Sequence, residues 1–133
     1  KGRVSLENDL KRVAEAHGRT YSPDPNLEAG FFYRADHFAF ARAGVPAITV
    51  GAGLDRIDGG VASGKALRDA YFARCYHQPC DAWTASWDAR GQAQDVALLY
   101  ALGREIADGD AWPHWLNGSE FKAVRERSET ERK

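Results

Sequence analysis

One short hydrophobic run, Val45-Pro46-Ala47-Ile48-Thr49-Val50, constrains the fold of this chain more than any other segment. The run is rich in β-branched residues and almost continuously apolar, which is typical of a strand buried on both faces of a parallel sheet. Such a strand needs neighbouring strands, and the rest of the sequence supplies few candidates. We therefore expect an α/β fold in which most partner strands lie outside these residues.

Helical patterns flank this run on both sides. Before it, the sequence predicts a helix over residues 6–17 with Ser5 as N-cap, and a short helix over residues 37–42. After it, we expect a glycine-rich loop over residues 51–64 and a helix over residues 65–74. Asp36 is the expected N-cap of the short helix. Helices that alternate with a buried strand fit the α/β class.

The strongest helical pattern covers residues 92–108, and Gly109 ends it. Four apolar positions at helical spacing predict one buried stripe: Val96, Leu99, Leu102 or Gly103, and Ile106. The following tail, residues 122–133, is highly charged and is expected to be frayed. Residues 1–121 are then the folded part of a single domain.

Charge and hydropathy exclude several classes of partner. The chain of 133 residues carries 18 basic and 19 acidic side chains, for a net charge of −1. This balance gives no reason to expect nucleic acid or an anionic membrane as a partner. The longest apolar stretches are far too short to span a bilayer. The chain opens Lys1-Gly2-Arg3 and contains no methionine, so we expect a fragment or a processed product.

The segment Tyr76-His77-Gln78-Pro79-Cys80-Asp81 brings together the side chains of a metal-assisted hydrolytic site. An imidazole can ligate a metal, a phenol can donate to a developing oxyanion, and a nearby carboxylate can orient a ligand. The alternative for His77 is a hydrogen-bonded, partly buried histidine with no role in a site. Cys75 and Cys80 could close a disulfide around it, or one of them could be a nucleophile.

A second polar segment contains the adjacent pair Asp36-His37 at a loop-to-helix junction. Such junctions carry function when they lie at the ends of sheet strands. The alternative is a helix cap followed by a hydrogen-bonded histidine. The chain has no Gly-x-Ser-x-Gly elbow and no phosphate-binding loop, which argues against a serine hydrolase and a P-loop enzyme.

These two segments together resemble two blocks of the co-catalytic dizinc aminopeptidases, peptidase family M28. Tyr33-Arg34-Ala35-Asp36-His37-Phe38-x-Phe40 with Ala43-Gly44-Val45-Pro46-Ala47 is similar to the block SDHxxFxxxGIPA, and Tyr76-His77-x-Pro79-x-Asp81 is similar to YHTPxDT. The likeness covers most of residues 5–108. It implies the C-terminal portion of a three-layer α/β/α sandwich with a mixed central sheet, and removal of N-terminal residues from peptides with two zinc ions.

The resemblance also implies roles for individual residues. His77 corresponds to the last zinc ligand and Tyr76 to the phenol that stabilises the oxyanion. Asp36 and His37 correspond to residues of the cleft, and Asp81 to a residue beside the metal ligand. The chain departs from the family pattern at Ala35, where a serine is usual, and at Ala82, where a threonine is usual.

The family's other metal-centre residues are a His-x-Asp, a Glu-Glu pair whose first member is the general base, and a later Asp. The chain has no His-x-Asp and no Glu-Glu. We therefore expect a C-terminal segment of a secreted or periplasmic zinc aminopeptidase that is inactive alone and binds zinc weakly at most. Its expected partners are a peptide substrate, the missing N-terminal part, and a second copy of the chain. The alternatives are a non-catalytic, receptor-like binding domain and a relative of glutaminyl cyclase.

Overall fold

The computed structural model describes residues 3–130, and helices dominate it. The α-helices of this part of the chain are α1 (Leu6–Ala16), α2 (His37–Arg42), α3 (Gly60–Arg74), α4 (Arg90–Asp108) and α5 (Lys122–Thr130). Two short 3₁₀ turns, Leu27–Ala29 and Phe31–Arg34, come between α1 and α2. The helical predictions before and after the central run are therefore confirmed, with boundaries that move by a few residues. The loop predicted over residues 51–64 is wrong at its end, because α3 begins at Gly60.

The predicted α/β fold with a central sheet is wrong for the described residues. Their β-pairing is limited to two isolated antiparallel bridges, one between Val4 and Trp115 and one between Arg56 and Gly60. The run at residues 45–50 lies outside any helix or strand. A hydrophobic run becomes a strand only where another strand satisfies its backbone groups, and none of the described segments does so.

The run at residues 45–50 contributes to the core instead. Ile48 packs against two clusters of buried side chains, one from α1 and α4 and one that combines Leu6 and Ala41 with residues outside the helices. Val45 and Val50 are 42% and 37% exposed, so the run is not buried on both faces. The run therefore contributes Ile48 to the core and does not form a strand of a sheet.

The described chain forms two compact units. The first comprises the described parts of Lys1–Val50 and Val96–Lys133, and the second comprises Gly51–Asp95. Among residues 3–130, no helix combines the length and the hydropathy that crossing a bilayer requires.

One core cluster of the first unit forms around Trp115, which is 2% exposed. Its buried members are Val4, Leu6, Ala41, Trp115 and Phe121. The indole N–H of Trp115 donates to the carbonyl of Gly44 at 3.0 Å, so the polar atom of this large side chain is satisfied inside the core. The backbone pairing of Val4 with Trp115 holds the two chain segments together at this point.

A second cluster joins α1 and α4. Its buried members are Leu10, Val13, Ala14, Leu98 and Leu102. The predicted stripe on α4 is therefore correct at Leu102 and Ile106 and wrong at Val96 and Leu99, which are 65% and 41% exposed. The observed stripe of Leu98, Leu102 and Ile106 follows a spacing of four residues, which also satisfies helical periodicity.

The helix N-termini differ in detail from the sequence expectation. Ser5 and Asp36 stand at the N-cap positions of α1 and α2, but neither side chain caps its helix. The hydroxyl of Ser5 instead accepts a hydrogen bond from the backbone N–H of His114 at 3.0 Å. A long-range backbone partner has therefore replaced the local one.

The charged tail, expected to be frayed, forms α5 up to Thr130, and residues 131–133 lie outside the described part. This helix packs closely on Gly44, which has φ +86°. A Cβ atom at Gly44 would lie only 2.8 Å from the backbone nitrogen of Arg125. Gly44 thus ends α2, as predicted, and its lack of a side chain also allows the backbone of α5 to approach.

Candidate functional site

The segment that carries the predicted chemistry is a compact turn at the end of α3 in the second unit. Cys75 and Cys80 are joined by a disulfide, with their Cα atoms 5.2 Å apart. The backbone N–H groups of Cys75 and Tyr76 both donate to the carbonyl of Tyr71, at 2.8 and 3.1 Å. The N–H of Gln78 donates to the carbonyl of Cys75 at 2.9 Å. The turn is therefore tied to the helix by hydrogen bonds and closed by a covalent link.

Three rings stack on one another at this turn. The rings of Phe72 and Tyr76 have centroids 4.4 Å apart at an interplanar angle of 24°. The imidazole of His77 lies 4.0 Å from the centroid of Tyr76 at 21°. Phe72 lies on α3 and Tyr76 lies two residues beyond its end, so the turn itself brings the two rings together. The stack therefore extends from the last turn of α3 to His77, which is exposed.

The carboxylate of Asp81 holds the turn through two hydrogen bonds. One carboxylate oxygen accepts the hydroxyl hydrogen of Tyr71 at 2.6 Å, and the other accepts the backbone N–H of His77 at 3.4 Å. The hydrogen bond to Asp81 raises the pKa of Tyr71, and desolvation and the negative charge of Asp81 act in the same direction. Asp81 thus accepts a hydrogen bond from the backbone N–H of His77 and makes none with its imidazole.

The polar ends of Tyr76 and His77 have no hydrogen-bond partner among residues 3–130. Tyr76 is half-buried and His77 is exposed. A phenol can donate one hydrogen bond, and a neutral imidazole offers one donor and one acceptor nitrogen. The turn therefore presents a donor and a nitrogen ligand side by side, both available to a bound molecule.

Asp36 and His37 lie in the first unit, where His37 has contacts of its own. The Nε2 atom of His37 is 3.1 Å from the hydroxyl of Thr49, and its ring meets the edge of Phe32 with centroids 4.6 Å apart. These contacts match the alternative of a hydrogen-bonded histidine after a helix start. The assignment of Asp36 and His37 to a cleft stays a prediction.

A zinc centre does not fit the side chains that the structure describes. Zinc in proteins needs about three His, Cys, Asp or Glu ligands that converge on one point. No group of three such side chains that could hold a metal ion occurs within residues 3–130. The thiols of Cys75 and Cys80 are also bonded to each other and are not available as thiolate ligands. His77 therefore stands without the additional ligands that a zinc site requires.

Two residues of the turn, Tyr71 and Phe72, were not identified from the sequence. Phe72 could have been found from its spacing of four residues to Tyr76, although Tyr76 lies two residues beyond the end of α3 and not on its face. Tyr71 could not, because its hydroxyl meets Asp81 only when the chain reverses after α3. The reversal of the chain after α3, and no local sequence pattern, brings Tyr71 and Asp81 together.

The comparison with known families agrees with the two sequence blocks. The family model described as peptidase family M28 matches residues 1–101, which is more than half of the chain. The match includes Asp36, His37, Tyr76, His77 and Asp81. No curated protein and no solved structure matches the chain significantly.

Proposed function

Because the chain belongs to peptidase family M28, we propose that the turn carrying Tyr76 and His77 forms one wall of an aminopeptidase site. Family membership makes the domain a hydrolase of the metallopeptidase type. The observation that carries the proposal is a pair of unpartnered polar groups on adjacent stacked rings, the phenol of the half-buried Tyr76 and the imidazole of the exposed His77. The proposed substrate is the N-terminal residue of a peptide.

Tyr76 has the chemistry to stabilise the transition state of peptide hydrolysis. Attack on a peptide carbonyl builds negative charge on its oxygen, and a preorganised donor lowers the energy of that state. The phenol is held in place by stacking on Phe72, so little reorganisation is needed when the charge develops. The backbone of this turn is also fixed by its bonds to Tyr71, which supports a preorganised donor.

We further propose that these 133 residues do not hydrolyse peptides on their own. Hydrolysis needs a group that activates water, and the family pattern assigns that step to a Glu-Glu pair that this sequence lacks. The described side chains also do not converge on a metal position. Zinc binding through the single imidazole of His77 is therefore weak, and the two ions of the family need ligands that this sequence does not provide.

The test is an aminopeptidase assay on the purified chain with a leucyl anilide as substrate. We expect no release of the amine above the uncatalysed rate, with or without added zinc. The matched control is the Tyr76→Phe variant, which removes only the donor oxygen and should give the same trace. Robust release that a chelator abolishes and that Tyr76→Phe diminishes would contradict the proposal that the chain is inactive alone.

A second candidate is a non-catalytic binding domain of the same family. The observation that favours it is the lack of a metal-ligand group among the described residues. The coding sequence upstream of Lys1, if there is any, distinguishes the two candidates. A His-x-Asp and a Glu-Glu in that region would support an aminopeptidase, and their replacement by other residues would support a binding domain.

A secreted or periplasmic location is also part of the proposal. The disulfide between Cys75 and Cys80 supports it, because disulfides persist in oxidising compartments and are rare in the cytosol. The proposed partners are the peptide substrate and a polypeptide that supplies the missing ligands, with a second copy of the chain as the other candidate.

A further inference from the structure

Tyr71 and Asp81 are placed to control how His77 is presented. Tyr71 lies one turn before the end of α3, and its carbonyl already accepts the N–H groups of Cys75 and Tyr76. Its hydroxyl donates to Asp81 at 2.6 Å, so the same residue binds both the start and the end of the turn. Asp81 in turn donates its own N–H to the carbonyl of Gln78 at 2.8 Å.

The backbone of His77 needs such support. His77 has φ +59°, and it is the one non-glycine residue with a positive φ within residues 3–130. This left-handed conformation is unfavourable for a residue with a Cβ atom and persists where the surroundings impose it. The N–H of His77 points to the second oxygen of Asp81 at 3.4 Å. The conformation also brings the imidazole onto the ring of Tyr76, with centroids 4.0 Å apart.

We propose that Tyr71 and Asp81 are positioning residues, which hold His77 in its left-handed conformation and so keep its imidazole stacked on Tyr76. We refer to this pair as the Tyr71–Asp81 clamp. The hydroxyl of Tyr71 fixes the carboxylate of Asp81, and the carboxylate fixes the backbone of His77. The functional importance of the clamp rests on the proposed role of Tyr76 and His77, but its geometry can be tested without substrate or metal.

The test is NMR spectroscopy of the full chain with its disulfide intact. The chain has four histidines, so the ring signals of His77 can be assigned by comparison with a His77→Ala variant. In the parent chain we expect upfield-shifted His77 ring protons, because the ring lies over Tyr76, and cross-peaks between the two rings. We also expect a strong cross-peak between the amide and α protons of His77, which is typical of a positive φ.

The variants separate the clamp from a general effect on folding. Tyr71→Phe removes one exposed oxygen and keeps the ring, and we expect it to lose most of the upfield shift of His77. Asp81→Ala should lose as much, and Asp81→Asn, which keeps one oxygen acceptor, should lose less. Asp88→Ala is the matched control, because Asp88 belongs to the same unit and pairs with Arg90. It should leave the His77 signals unchanged.

Two results would overturn the clamp. One is the absence of ring-to-ring cross-peaks in the parent chain, which needs no variant and so does not depend on how the variants fold. The other is an unchanged His77 spectrum in both Tyr71→Phe and Asp81→Ala. Either result leaves the peptidase proposal open, since that proposal is judged by the anilide assay. Conversely, hydrolysis by the isolated chain would not affect the assignment of the clamp.

Discussion

His77 illustrates how neighbouring residues determine what a side chain can do. The left-handed backbone costs a non-glycine residue about 1–2 kcal/mol, so it requires compensation from surrounding contacts. The stacking on Tyr76 and the acceptor oxygen of Asp81 supply such contacts. A histidine in an unrestrained loop would sample many orientations, whereas this one presents its imidazole beside a fixed phenol.

The disulfide between Cys75 and Cys80 predicts how these two residues react with an alkylating reagent. The Cα separation of 5.2 Å lies in the normal range for a disulfide, so both cysteines should be protected from alkylation until a reductant is added. Mass spectrometry of the chain after iodoacetamide treatment, with and without reductant, measures this protection. Replacing both cysteines by alanine should lower the free energy of unfolding by about 2 kcal/mol, as expected for a short loop. Two alkylated cysteines in the unreduced chain would refute the pairing.

The candidate residues could be predicted from the sequence to the extent that residue type reveals chemistry. Tyr76, His77 and Asp81 were identified because a phenol, an imidazole and a carboxylate fall within six residues. Their arrangement could not be predicted, since Asp81 turns out to bind the backbone of His77 and the hydroxyl of Tyr71. Both contacts depend on the path of the chain after α3, and local sequence does not encode that path.

At the scale of elements, helices were predicted better than the central run. The ends of α1, α2 and α4 fall within two residues of the expected positions, because helical periodicity and glycine stops are local signals. The strand at residues 45–50 was wrong because a strand is defined by partners elsewhere in the chain. The buried face of α4 was also predicted partly wrongly. Leu98 and Leu99 are both apolar, and only the packing against α1 determines which of them is buried.

Alanine substitutions at three glycines are expected to change the free energy of unfolding by different amounts, with the largest loss at Gly44, where α5 packs on the end of α2. Gly44→Ala should destabilise the chain by at least about 1–2 kcal/mol, because alanine disfavours the left-handed φ of +86° and its Cβ would clash with the backbone at Arg125. Gly18 has φ +67° but open space around it, so Gly18→Ala should cost less. Gly103 lies inside α4 in open space, and Gly103→Ala should stabilise by about 1 kcal/mol.

Urea unfolding of the three alanine variants measures these differences. The ordering itself is the test: a loss at Gly44, a smaller loss at Gly18 and a gain at Gly103. A Gly44→Ala variant as stable as the parent would show that α5 does not pack on the end of α2 as described.

The ion pair between α1 and α4 predicts a pH dependence of stability. Arg12 donates two hydrogen bonds to Glu105, which lower the pKa of that carboxyl below its ordinary value of 4.5. A carboxyl whose pKa is lower in the folded than in the unfolded state stabilises the fold above the unfolded value. This contribution is therefore present above about pH 4.5 and is lost as the pH falls through the folded pKa.

The Glu105→Gln variant isolates this effect in urea unfolding at neutral and at acid pH. We expect it to be less stable than the parent at neutral pH, with the difference vanishing at a pH below the folded pKa and shrinking in high salt, because the pair is exposed. The control is Asp108→Asn, whose partner Arg104 lies on the same helix and links no second element. An equal loss for Glu105→Gln at both pH values would contradict an electrostatic origin.

For the whole molecule, the family match indicates a metallopeptidase, whereas the described side chains do not form a metal site. The family match covers residues 1–101, which include both sequence blocks. The described chain is nevertheless helical, forms two compact units and brings no three metal-binding side chains together. These observations agree if the chain supplies one wall of a peptidase site and the ligands that complete it come from another polypeptide segment.

Zinc retention shows whether the chain forms a metal centre on its own. The purified chain is dialysed against zinc, washed by gel filtration and analysed for bound metal, with the His77→Ala variant alongside. We expect well below one zinc ion per chain in the parent, since a single imidazole does not hold the metal tightly. Two zinc ions retained per chain, and lost in His77→Ala, would show that these residues form a complete metal centre. That result would contradict the proposal that the chain supplies only part of a peptidase site.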